Sequence, residues 1–178
     1  MLGTIVNSVV VIIGCLIGLM VKGRLRTSIS NTIMSGLGLC VLYIGISGSL
    51  KGEDTLLMII CIVIGALIGE LLDIDKWLNS VGKIVEQKVN KGAKNNISIA
   101  EGFVTASLLF CVGAMAIVGS LESGLSGNHD TLFAKSLLDG VTSIILTSTL
   151  GIGVIFSAAT IFIYQGAITL GAGMLANV

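Results

Sequence analysis

The stretch Ala134–Gly153, AKSLLDGVTSIILTSTLGIG, decides how the rest of the sequence is interpreted. It contains Asp139, an acidic residue that is hard to place outside an apolar segment, and no charged residue follows between Gly140 and Val178. A carboxylate beside so much apolar sequence is costly in a bilayer, and membrane proteins keep such a group mainly where it faces protein, water or an ion. The stretch therefore predicts a transmembrane helix with one side toward lipid and the other toward protein or water.

Helical geometry at about 100° per residue sorts this stretch into two faces. One broad face collects the polar residues and a glycine: Lys135, Ser136, Asp139, Thr142, Ser143, Thr147, Thr149 and Gly153. We interpret Asp139 as a candidate for handling an ion or a proton, with Thr142, Ser143 and Thr149 lining its face. It would lie about 10 Å along its span, in the outer third. The alternative is an interfacial acid that only pairs with Lys135, one helical turn earlier.

The composition and the distribution of charge indicate a membrane protein and its topology. The sequence is 54% hydrophobic and 11% charged, whereas soluble domains have about 25% charged residues. Eight of the ten basic residues lie in two alternate connections, Lys22–Arg26 and Lys76–Lys94. The positive-inside rule assigns both to the cytoplasm, which places the N-terminus outside. Because topology explains these residues, no nucleic-acid partner is expected.

Six apolar segments of about 20 residues predict six spans. They are Gly3–Val21, Ile29–Leu50, Thr55–Leu72, Ile99–Leu121, Leu132–Phe156 and Ala158–Ala176. Residues 73–98 are predicted to form a cytoplasmic amphipathic helix and a linker. The expected fold is an all-α integral membrane protein, a single polytopic domain over residues 1–178. Residues 1–72 and 99–178 would be its halves if the chain is a 3+3 inverted repeat.

Helix breaks are expected only at glycine, serine or threonine, because the sequence contains no proline. Broken or re-entrant helices are the alternative for the last two segments, whose connection carries no charge. Two small-xxx-small motifs, Gly14 with Gly18 and Gly65 with Gly69, predict close helix packing.

Three further polar residues lie in or beside the apolar segments. Asn7 and Gln165 are interpreted as interhelical hydrogen-bonding residues, with substrate contact as the alternative. Glu70 ends the third segment and is interpreted as an acid at the inner boundary, with a place on an ion path as the alternative.

No pattern of residues indicates catalysis, a metal site or a cofactor. The sequence has no HExxH, no GxSxG and no P-loop, so an enzyme is not expected. It has one histidine, and its four cysteines lie in apolar segments without CxxC spacing. We interpret these cysteines as small buried hydrophobic residues.

Four stretches of the sequence resemble a known family. They are GALIGE at Gly65–Glu70, LLFCVGAMAIVGSLESGLSG at Leu108–Gly127, AKSLLDG from Ala134 and STLGIGV from Ser148. Together they are similar to the YdfK/YqgA-type bacterial membrane proteins, a domain-of-unknown-function family often described as transport proteins. The resemblance implies a bacterial inner-membrane location. Members of that group usually continue with another glycine-rich apolar stretch, whereas this chain stops at Val178, so we expect either a shortened variant or a missing seventh segment.

The residues and the resemblance together predict a small transporter or channel for an unidentified ion or small solute. The expected partners are the lipid bilayer and further copies of the chain in a homo-oligomer. The competing hypothesis is a membrane scaffold without transport activity, in which the polar face of the Asp139 helix only packs against a neighbouring helix or another protomer.

Overall fold

The computed structural model describes residues 1–50, 52, 54–72 and 97–175, without the side chains of residues 72, 97, 98 and 100. This part of the chain is helical and has no β-strand. Its elements are α1 (Leu2–Met20), α2 (Thr27–Leu50), α3 (Thr55–Leu72), α4 (Ile97–Cys111), α5 (Ala114–Leu125), α6 (Asp130–Leu150), a 3₁₀ segment (Gly151–Phe156) and α7 (Ser157–Leu175). The all-α fold class is confirmed. The amphipathic helix predicted within residues 73–98 lies outside the described residues, except that residues 97–98 begin α4.

Three helical stretches of the described chain are long and apolar enough to cross a membrane: Leu2–Met20, Thr27–Leu50 and Asp130–Leu175. The count becomes four if a bent pair, Glu101–Cys111 with Ala114–Leu125, forms one span. The apolar helix Thr55–Leu71 is shorter than the other candidates. The protein is therefore an all-α membrane protein, and the number of six spans stays a prediction.

The 46-residue stretch Asp130–Leu175 is not one straight rod. Asn7 of α1 donates hydrogen bonds to both Asp139 and Gln165. In one straight helix these two residues, 26 positions apart, would be about 39 Å from each other. The chain therefore reverses between α6 and α7, at the 3₁₀ segment. Gly151 begins this reversal with φ 81°, a value that glycine adopts without steric cost.

The fourth predicted segment, Ile99–Leu121, is wrong as one continuous helix. The structure interrupts it at Val112–Gly113, and the helices on either side are bent by 58°. Gly113 has φ −72° and ψ 144°, an extended conformation that a helix cannot continue through. The expectation that breaks occur at glycine is confirmed at both Gly113 and Gly151.

Contacts divide the chain into two units, residues 1–26 with 84–178 and residues 27–83. This division does not follow the predicted halves 1–72 and 99–178, and the inverted repeat stays a prediction. The first unit contains α1 and α4–α7 and the polar residues of greatest interest. Its buried apolar cluster is drawn from four elements and consists of Val11, Cys15, Ala106, Phe110, Cys111, Val154, Ala158 and Ile161.

Within the first unit, α1 and α6 run in the same direction. Gly3 packs against Leu132 at the start of α6, and Gly18 packs against Thr147 near its end. Helix α7 runs the opposite way along α1, because the order of its contacts is reversed. Thr4 of α1 therefore lies beside a residue near the end of α7. In the predicted order of six spans, the first and fifth segments run in the same direction and the sixth runs in the opposite one, in agreement with these contacts.

Close helix packing was predicted for two glycine motifs, and their surroundings in the structure differ. A Cβ added at Gly14 would lie 2.5 Å from the carbonyl oxygen of Gly140, and one added at Gly18 would lie 2.6 Å from that of Ile144. Close packing is therefore confirmed for α1 against α6. An added Cβ at Gly65 or Gly69 of α3 meets no described atom within 4 Å, so close packing of this second motif stays a prediction.

Candidate buried ion-pair site

Lys135 and Asp139 form an ion pair inside the first unit. The Lys135 Nζ donates to Asp139 Oδ1 at 2.8 Å and to Oδ2 at 2.7 Å, as their i, i+4 spacing on α6 permits. Their side chains are only 7% and 9% exposed. The pairing that the sequence left open as the alternative is therefore present, and the pair is buried among helices.

A neighbouring helix supplies the next contact of the Asp139 carboxylate. Asn7, which is fully buried on α1, donates from Nδ2 to Asp139 Oδ2 at 3.1 Å. Taking two charges out of water costs several kcal/mol per ion, and only good geometry with extra hydrogen bonds offsets that cost. The amide of Asn7 provides such a bond and ties α1 to α6.

Gln165 of α7 completes the set of contacts. Its Oε1 accepts a hydrogen bond of 3.3 Å from the Asn7 Nδ2, and its side chain is fully buried. The carboxylate fixes the orientation of both amides, because the oxygen of Asn7 would be repelled by Asp139. In this orientation Asn7 Oδ1 and Gln165 Nε2 have no hydrogen-bond partner among the described residues. A buried acceptor and a buried donor are thus left unmatched beside the ion pair.

A pair of threonines continues the polar layer between α1 and α7. The hydroxyl oxygens of Thr4 and Thr169 are 3.5 Å apart, and both residues are buried. Thr4 lies one turn before Asn7, and Thr169 lies one turn after Gln165. Neither threonine was among the residues predicted for the site. The signal was available, because the i, i+3 and i, i+4 spacings place each threonine on the same helix face as its amide.

The other candidate residues lie apart from this network. Ser143 is buried and donates to the backbone oxygens of Gly140, at 2.7 Å, and Val11, at 3.3 Å. Thr149 is exposed and, among the described residues, its hydroxyl group donates only to carbonyls of its own helix. Their predicted roles, with those of the buried Thr142 and of the exposed Glu70 in the other unit, stay predictions.

The hydrogen-bonded network thus joins four of the eight residues predicted for an ion or substrate path: Asn7, Lys135, Asp139 and Gln165. The spacing on α6 predicted one contact, Lys135 with Asp139. Asn7 is separated from its two partners by 132 and 158 residues in the sequence, so local spacing could not predict these contacts.

No cluster of three His, Cys, Asp or Glu residues in the described ranges is arranged to hold a metal ion.

Comparison with known proteins decides the family. Residues 2–178 match the family "Protein of unknown function (DUF554)". The chain belongs to this family. It is 34% identical over 179 residues to the "Uncharacterized membrane protein YdfK" of Bacillus subtilis (strain 168), covering 98% of this chain and 74% of that protein. It is 28% identical over 176 residues to the "Uncharacterized protein YqgA" of Escherichia coli (strain K12), covering 98% and 75%. No solved structure matches.

Proposed function

We propose that this protein is a small inner-membrane transporter or channel for an ion or small solute, and that the Lys135–Asp139 pair is its ion- or proton-sensitive site. One observation carries the proposal: an ion pair buried in a helical membrane protein is bonded to the Asn7 amide of α1, which is itself bonded to Gln165 of α7. Ionisable residues inside membrane proteins are rare and are typical of ion pathways, proton relays and substrate sites.

The energetics of the pair favour a functional role over a structural one. Replacing a buried ion pair with apolar residues of similar volume is often neutral or stabilising. Stability alone therefore gives little reason to keep Lys135 and Asp139 on a helix that must sit among apolar neighbours. The unmatched polar atoms of Asn7 and Gln165 beside the pair add a further cost that a ligand or water would relieve.

The interrupted helices support the same proposal. Non-helical backbone within a membrane is tolerated where protein covers it or where it lines a water-filled cavity, and transporters often bind substrate at discontinuous helices. The described chain has such an interruption at Val112–Gly113, between two bent helices. It lies in the unit that contains the ion pair.

A scaffold without transport activity is the second candidate, and one observation favours it. Both oxygens of Asp139 accept hydrogen bonds from Lys135, so the pair needs no bound ion to balance its charge. In this case the network would only hold α1, α6 and α7 in register, as buried polar groups do in some proteins.

Flux through purified protein in liposomes distinguishes the two candidates. The probes are internal pyranine for protons, Na⁺ and K⁺ gradients for cations, and osmotic swelling for urea and glycerol. We expect flux of at least one probe, and its loss in Lys135→Gln/Asp139→Asn, which removes both charges and keeps polar side chains. Leu137→Val, on the exposed side of α6, is the control on the same helix and should retain flux. No flux for any probe would favour the scaffold. Full flux in the double variant would show that the Lys135–Asp139 pair is not the ion- or proton-sensitive site.

The orientation that we propose places the N-terminus outside the cell and the α5–α6 connection on the same side. Ser126 in that connection is exposed, and Thr27 follows the basic residues Lys22–Arg26. On a background without the native cysteines, Ser126→Cys should react with an impermeant maleimide added to intact cells. Thr27→Cys should react only after the cells are permeabilised. The reverse pattern would invert the topology.

Homo-oligomerisation in the lipid bilayer is the assembly that we propose. It is supported by the apolar side chains exposed along α2 and α3, which need lipid or protein neighbours in a membrane. Native mass spectrometry of the purified protein measures the number of subunits, and a single chain would exclude the oligomer.

A further inference from the structure

An open cavity lies between α5 and α7 in the first unit. Its volume is about 370 Å³, and it is lined by Met1, Ser123, Gly124, Thr169, Leu170, Gly173 and Met174. Leu170 and Met174 are 57% and 75% exposed, whereas Ser123 and Thr169 are 5% and 3% exposed. The cavity therefore has an apolar rim, and hydroxyl groups lie at its floor.

The floor of the cavity connects with the ion pair through consecutive polar side chains. Thr169 faces Thr4 at 3.5 Å, and each lies one helical turn, about 5–6 Å, from Gln165 or Asn7. Asn7 in turn bonds to Asp139. These residues form a polar track from the cavity to the buried charges.

Several polar atoms along this track have no partner among the described residues. They are the hydroxyl group of Ser123 on α5, Asn7 Oδ1 and Gln165 Nε2. Each of these residues is at least 95% buried. Buried polar atoms in native proteins are normally paired with protein or with ordered water. The track is thus built from groups that require hydrogen-bond partners.

The chemistry of these atoms restricts the class of ligand. A bare metal cation is bound by oxygen ligands, yet the amide nitrogen of Gln165 can only donate. An anion needs donors, yet Asn7 Oδ1 can only accept. The hydroxyl group of Ser123 can do both. A mixed set of this kind fits a neutral ligand that donates and accepts hydrogen bonds.

We propose that the cavity between α5 and α7 is the mouth of a polar track that leads to the Lys135–Asp139 pair and admits water or a small neutral solute. This inference deepens the proposed function by naming an access route and a ligand class. Only the role of the track in flux rests on the proposed function. The accessibility of residues along the track is measured without flux.

Thiol accessibility tests the route. On a background without native cysteines, Ser123→Cys and Thr169→Cys should react with N-ethylmaleimide in proteoliposomes. Thr4→Cys, deeper in the track, should react at least about tenfold faster than Ala106→Cys, since a thiol without an access route reacts only through transient opening. Thr4 and Ala106 are both fully buried, so the comparison is matched. Gel filtration of each variant checks that it is folded.

The outcomes separate the route from the function. Equal rates for Thr4→Cys and Ala106→Cys overturn the track, even if the cavity residues react. Slower labelling of Thr169→Cys in glycerol identifies a solute site, and unchanged labelling identifies a water-filled route. If NaCl or KCl slows the labelling of Thr169→Cys and glycerol at equal osmolarity does not, the assignment to a neutral ligand is overturned. Rapid labelling at Thr4 with no flux in the liposome assay retains the track and rejects the transporter.

Discussion

Asp139→Asn is expected to lower the free energy of unfolding by about 3–5 kcal/mol, because it leaves the ammonium group of Lys135 buried without a counter-charge. Sequence position alone predicts a smaller loss, since a lysine near the membrane boundary extends its amine to water. In the structure, however, Lys135 is only 5% exposed. The asparagine still accepts a hydrogen bond from Asn7, so the loss reports mainly the missing charge.

A double-variant cycle isolates the contribution of the pair. Lys135→Met/Asp139→Asn removes both charges, and we expect it to recover most of the stability lost in Asp139→Asn, since deleting a whole buried pair is often neutral or better. Denaturant unfolding in detergent micelles measures each variant. Glu70→Gln, which changes an exposed acid on α3, is the control and should stay within about 0.5 kcal/mol of the wild type. A loss below about 1 kcal/mol in Asp139→Asn would contradict the burial of Lys135.

Gly153→Ala should destabilise the protein by at least about 3 kcal/mol, at the upper end of overpacking costs. Gly153 lies in the 3₁₀ segment where the chain reverses, and its added Cβ would overlap the carbonyl oxygen of Ile99 on α4. The carbonyl carbon and the Cα of Ile99 would both lie 2.7 Å from it. A flexible side chain could rotate away, but this obstacle is backbone. The overlap can therefore be relieved only if α4 moves away from the 3₁₀ segment.

Gly171→Ala on α7 is the matched control, because its added Cβ meets no described atom within 4 Å. Alanine is favoured over glycine within a helix by up to about 1 kcal/mol. The two substitutions are thus expected to change the thermal unfolding midpoint in opposite directions. Equal midpoints for the two variants would show that α4 does not pack closely on the reversal.

Local sequence patterns predicted the helices well. The bounds of α3, Thr55–Leu72, are the predicted ones, and α1 begins and ends one residue before its predicted bounds. Hydropathy is sufficient here, because a long apolar run in a membrane protein must satisfy its backbone within a helix. The contact of Lys135 with Asp139 also follows from local spacing on one helix.

The features that the sequence did not predict depend on contacts between helices. Gly14 and Gly65 occur in the same small-xxx-small pattern, yet only Gly14 meets a described neighbouring backbone closely. The sequence also does not show which glycine interrupts a helix, because helices tolerate isolated glycines. The break at Gly113 therefore appeared only in the structure, where that residue has an extended backbone.

The contacts of Asn7 have a consequence for the order of folding during synthesis. Asp139 follows Asn7 by 132 residues, which takes roughly 7 to 26 s at about 5–20 residues per second. Helix α1 therefore leaves the ribosome long before the carboxylate and the Gln165 amide that it binds. During this interval Asn7 must find temporary partners, in lipid headgroups, water or the insertion machinery. The N-terminal helix can consequently reach its final position only after α6 and α7 have been translated.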